Sequence, residues 1–133
     1  VVPIPHREPF LFVSAGSDGE ALFSRFEPSN PYIADGSADP IVPRTLVLES
    51  LAQGLAVVAH RSFESTQSGV LAMVRDAEFL GDIRCSDKVE LRITHQRTFA
   101  KLWWYVVRAL RHGEGEPTLV ASAQVVVAHL GSA

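Results

Sequence analysis

Glu49 stands in a run of sequence that has little other use for a charge. From Leu46 the chain reads Leu-Val-Leu-Glu-Ser-Leu-Ala-Gln-Gly-Leu-Ala-Val-Val-Ala, apolar except at Glu49, Ser50 and Gln53. A carboxylate withdrawn from water needs a partner or takes up a proton, and a positioned carboxyl group is what general acid–base chemistry requires. Gln53 follows four residues on, within reach on one helical face. Asp35 and Asp39 add two carboxylates upstream. The five histidines, His6, His60, His95, His112 and His129, show no His-x-x-x-His spacing, and Cys85 is alone. A multi-cysteine zinc site is excluded, and neither a metal nor a cofactor is expected.

The element that must position Glu49 is a helix over about 43–60, with Pro43 in its first turn, where a missing N–H costs nothing. A helix apolar on nearly every side belongs in an interior. This one is too short to span a bilayer and carries a carboxylate near its middle, so no membrane association is expected. Glu49 is accordingly expected to be buried among Leu46, Ala52 and their neighbours.

Around the helix, residues 3–13 read as a proline-rich turn leading into a strand. Ser14–Gly19 has hairpin chemistry, and Glu20–Glu27 reads as a second strand. Pro28–Pro40 is a polar loop of a length usually reserved for function. After a polar stretch over Arg61–Ser68 come four strand readings: Val70–Phe79, Lys88–Thr94, Leu102–Leu110 and Leu119–Leu130. Lys88–Thr94 alternates Val89, Leu91 and Ile93 against polar residues, the period of a half-buried strand. Trp103 and Trp104, as neighbours on a strand, should face opposite sides of the sheet. Two strands, one buried helix and four further strands make an α+β domain over 1–133, whose sheet can bury the helix only by curling around it.

Composition narrows the function classes. Apolar residues make up 47% and charged residues 20% of 133, as in ordinary soluble proteins. A net charge of −3 leaves out the basic footprint that nucleic acid requires, so no nucleic-acid partner is expected. The single cysteine suits a reducing compartment, and a cytoplasmic location is expected.

Two stretches resemble the hot-dog-fold β-hydroxyacyl-acyl-carrier-protein dehydratases. Ile4-Pro-His-Arg-Glu-Pro-Phe-Leu-Phe-Val13 is similar to the family's opening Leu-Pro-His-Arg-x-Pro-Phe-Leu-x-Val. Leu48-Glu-Ser-Leu-Ala-Gln53 is similar to its helix signature Leu-Glu-Ala-Met-Ala-Gln. Val74–Phe79 and Ser86–Leu91 add a match in pattern. The resemblance implies a curved antiparallel sheet around one helix, paired edge to edge into a dimer. It also implies 3-hydroxyacyl thioesters of acyl carrier protein or coenzyme A as substrates.

The family's active-site pattern places Pro40, Pro43, Glu49 and Gln53 in register. Asp35 falls where the family has its catalytic His, and Arg44 where it has a Gly. The resemblance therefore implies Glu49 as proton donor to the departing hydroxyl, with Asp35 or His6 in the role of the missing base. A carboxylate facing Asp35 across a dimer would raise the Asp35 pKa toward that task. Pro43, Arg44, Thr45, Leu46 and Gln53 are the implied substrate contacts, with Arg44 at the mouth of an apolar tunnel joining Glu49 and Asp35. Two alternatives stand beside the altered dehydratase. One is a hot-dog thioesterase using a single carboxylate, and the other a non-catalytic subunit of a hot-dog heterodimer.

Overall fold

The computed structural model describes residue 4, residues 6–62 and residues 68–130. Its elements are β1 (Val13–Ala15), β2 (Leu22–Ser24), α1 (Arg44–Ser62), β3 (Ser68–Phe79), β4 (Val89–Phe99), β5 (Leu102–Arg111) and β6 (Thr118–Leu130). The strands form one antiparallel sheet in the order β1-β2-β4-β5-β6-β3. This is the expected hot-dog arrangement, with the helix enclosed by a curved sheet. Pro3 and Pro5 of the opening turn, and residues 63–67 of the loop after the helix, lie outside the described residues.

The helix is held by its apolar faces. Val47, Leu51, Leu55 and Val57 are buried against Phe12, Leu22, Leu91, Tyr105, Val107 and Val125 from the sheet and its approaches. Gly54 permits this closeness, since a Cβ there would stand 2.8 Å from Leu91 Cδ1. At the helix start Pro43 precedes the first helical residue, and its carbonyl accepts from the amides of Leu46 and Val47. The amides of Arg44 and Thr45 have no acceptor among the described residues, the usual condition of a helix N-terminus.

The first two strands are much shorter than their apolar runs suggest. β1 begins at Val13, although its pairing with β2 reaches one step further back, to Phe12. The Phe12 amide donates to Gln53 Oε1, and the Phe12 carbonyl accepts from Ser50 Oγ and the Arg25 amide. The hairpin between β1 and β2 is closed by Gly16 N–H to the Ala21 carbonyl, with Asp18 Oδ1 accepting from the Glu20 and Ala21 amides. These two amides hold the Asp18 carboxyl below its usual range.

β4 runs five residues beyond the expected end at Thr94, carried by pairing with β5 down to Phe99 opposite Leu102. Trp103 packs on the core beside His95, while Trp104 lies under the Arg97 guanidinium at 4.2 Å, so the two tryptophans divide as expected. β3 forms one edge of the sheet, and its side chains Leu71 and Met73 are about half exposed. No helix among the described residues is long and apolar enough to cross a membrane.

Candidate functional site

The most connected polar side chain in the helix is Gln53, which is 1% exposed and fully used. Its Oε1 accepts from the Phe12 amide at 2.8 Å, and its Nε2 donates to the Phe10 carbonyl at 2.7 Å and to Glu49 Oε1 at 3.1 Å. A buried amide pays its desolvation only when its groups are paired, and here pairing ties the opening segment of the chain to the helix. The Ser50 hydroxyl adds a second tie through the Phe12 carbonyl. Gln53 thus fixes one oxygen of Glu49 on one side and the chain before β1 on the other. It was expected to contact substrate, but in the single chain it is sealed beneath Glu49.

Glu49 is not sealed in the core. Its side chain is 44% exposed, correcting the expectation of a buried carboxylate. The reason is the sheet's reach: it covers most of the helix but leaves Thr45 exposed and Leu48, Glu49, Ala52 and Ala56 only part-covered. An apolar sequence pattern cannot distinguish a face covered by the same chain from one left open. The second group at Glu49 is His6, whose Nε2 lies 3.6 Å from Glu49 Oε1.

Asp35 lies elsewhere in the chain's own contacts. It is exposed, and its Oδ1 accepts from the Ser37 amide at 2.9 Å in a local turn. That hydrogen bond, with the Ser37 side chain and the more distant Arg84 charge, holds the Asp35 carboxyl below the usual carboxylate range. The rise expected for a base at this position is therefore not produced within one chain. Any rise would have to come from a facing group on a second chain.

Pro43 and Thr45 are exposed, and Leu46 is half-buried against the core. Arg44 extends over the Phe79 ring at 5.5 Å, which stations a cation at the helix start. A concavity of about 420 Å³ among the described residues is lined by Ser24, Phe26, Asp39, Cys85 and their neighbours. There Asp39 accepts from both the hydroxyl and the amide of Ser86, which lower its pKa, whereas burial pushes the Cys85 thiol up and away from the reactive thiolate. No group of three or more metal-ligating side chains occurs among the described residues.

His6 is the site residue the sequence left least settled. The signals available were its place in the opening motif and that motif's apolar partner residues, but its approach to Glu49 depends on Gln53 drawing the Phe10 backbone onto the helix.

No family model matches the chain. The 3-hydroxyacyl-(acyl-carrier-protein) dehydratase FabZ of Actinobacillus succinogenes is 31% identical over 84% of this chain and 79% of its own. FabZ of Thioalkalivibrio sulfidiphilus is 27% identical over 94% and 90%. Among solved structures, an acyl-CoA hydrolase from Bacillus cereus superposes with a TM-score of 0.66 at 21% identity, over 82% of this chain and 63% of that one. A thioesterase superfamily member from Thermus thermophilus gives 0.61 at 16% identity, over 91% and 80%. These two establish the hot-dog fold and nothing finer. On the strength of the sequence relationship, the chain belongs to the family of FabZ 3-hydroxyacyl-(acyl-carrier-protein) dehydratases.

Proposed function

We propose that this protein acts as a dehydratase on 3-hydroxyacyl thioesters, carried by acyl carrier protein or coenzyme A, with Glu49 as its proton-transferring group. The observation that carries the reading is the setting of Glu49 itself. One oxygen is held by a fully buried amide, the side chain remains partly open, and the chain that bears it is similar to a dehydratase. On this reading Asp35 of a second chain takes the proton from the carbon next to the thioester carbonyl and Glu49 delivers a proton to the departing 3-hydroxyl, so that water and an enoyl thioester leave.

The free amides of Arg44 and Thr45 lie one turn before Glu49 on the same helix, where the positive end of the helix dipole favours the oxyanion that forms on the thioester carbonyl. Asp35, as the residue aligned with the family's base, would enter this site from a second chain. The uncovered stripe around Leu48, Ala52 and Ala56 and the apolar edge at Leu71 and Met73 supply surfaces for that second chain, as a homodimer or a hot-dog heterodimer.

The test is product identity. The purified protein is incubated with 3-hydroxyacyl thioesters of coenzyme A and of acyl carrier protein, and formation of the conjugated enoyl thioester is followed alongside release of free thiol. Enoyl formation without thiol release is expected. Thiol release without enoyl formation would replace the dehydratase reading by a thioesterase, and neither product would leave the non-catalytic subunit.

A further inference from the structure

We infer that His6 is a positioning residue for Glu49. It shares with Gln53 the task of pinning Glu49 Oε1, so that Oε2 is the oxygen presented to substrate. The inference rests on the thioester reading above and assigns His6 a role within that site.

Two nitrogen atoms converge on one oxygen. Gln53 Nε2 is 3.1 Å and His6 Nε2 3.6 Å from Glu49 Oε1, the first a hydrogen bond and the second just beyond hydrogen-bond length. Glu49 Oε2 has no partner among the described residues. A carboxylate hydrogen-bonded through one oxygen by Gln53, with the His6 ring nitrogen 3.6 Å from that same oxygen, has less freedom to rotate its other oxygen away from a bound substrate. Orientation of this kind is a main source of catalytic advantage.

The opening segment holds the imidazole beside Glu49. Ile4 is buried in the core two residues before His6, and the Arg7 guanidinium donates to the carbonyls of both Ile4 and His6. The Phe10 amide closes a turn on the Arg7 carbonyl, while the Phe10 carbonyl is held by Gln53. His6 is therefore braced from both sides, and its side chain is one-third exposed beside that of Glu49.

The ring also has a preferred orientation of its proton. His6 Nδ1 is enclosed and has no hydrogen-bond partner among the described residues. An orphaned buried N–H is rarer than an under-satisfied acceptor, so the neutral ring is better served with its hydrogen on Nε2, directed at Glu49. That tautomer makes His6 a donor to the carboxylate rather than a second base, because the nitrogen facing the site already holds its proton.

The experiment compares wild type, His6→Ala and His6→Gln in steady-state kinetics on 3-hydroxybutyryl-CoA, with thermal unfolding of each as a check on folding. Long-range proton–nitrogen NMR of the histidine rings is recorded in wild type and Glu49→Gln. His6→Ala is expected to lower kcat by about 10- to 100-fold while KM changes by less than about threefold. His6→Gln, which retains a side-chain N–H, should recover much of the loss. The His6 ring nitrogens should shift on Glu49→Gln, with those of His95 and His112 unmoved. Unchanged kcat in a folded His6→Ala overturns the inference and leaves the thioester reading standing. So does an unshifted His6 ring. A loss beyond about 1,000-fold that Gln does not recover would make His6 itself the base, which also overturns the positioning role. An inert wild type would instead overturn the thioester reading on which the inference rests.

Discussion

The Phe12 amide donates to Gln53 Oε1 across 41 residues of sequence, at 2.8 Å and in the core. This one bond sets the depth at which the opening segment meets the helix. It also leaves the Gln53 amide nitrogen to serve Phe10 and Glu49. The candidate site and the hydrophobic core therefore share a side chain.

Gln53→Ala is expected to destabilise the protein by about 2–4 kcal/mol, since it strands a buried amide and opens a cavity beneath Glu49. Urea denaturation measures it. A loss below about 1 kcal/mol would mean that water readily replaces the amide.

Acid should act in part through Glu90. Hydrogen bonding from Arg92 lowers its pKa, burial opposes, and hydrogen bonding with His112 lowers it further. A depressed folded pKa contributes stability that is present above the unfolded value, about 4.3 for a Glu, and is lost as pH falls through the folded value. Glu90→Gln should therefore reduce Tm at pH 7 and flatten the fall of Tm between about pH 5 and pH 3. Parallel Tm–pH curves for the two proteins would contradict this.

The edge strand β3 carries the prediction about assembly. The double variant Leu71→Glu, Met73→Glu places charges on an apolar edge and should shift the protein from dimer to monomer in sedimentation velocity at micromolar concentration. A wild type that is already monomeric would remove the subunit-boundary site.

Asp35→His should raise dehydration of a 3-hydroxyacyl thioester if Asp35 stands in the proposed register, because it restores the imidazole that the resemblance implies there. Arg44→Gly is combined with it to clear the guanidinium from the helix start. No gain in the combined variant would show that the loop around Asp35 does not approach Glu49 of a second chain.

Much of the fold was legible because its signals were local. Val89, Leu91 and Ile93 alternate as β4 requires, and the turn residues between β1 and β2 close the hairpin they suggest. The far half of β4 was not legible, because His95, Gln96 and Arg97 look like loop and are strand only through pairing with β5. The pairing of Glu49 with Gln53 on one helix face was legible, but the exposure of Glu49 was not. Glu49 and Gln53 stand out in sequence, whereas the half-open position of Glu49 depends on how far the sheet curls. The approach of His6, more than forty residues away, was set by Gln53 and could not be read from spacing.

The central claim is that Glu49 transfers the proton. Glu49→Gln keeps the side-chain volume and removes the ionisable group, so it should leave the thermal unfolding profile close to wild type. In the same enoyl-forming assay on 3-hydroxyacyl thioester, kcat should fall by about 100-fold or more with little change in KM. Turnover equal to wild type in the folded variant would contradict the account and retire Glu49 as the reacting group.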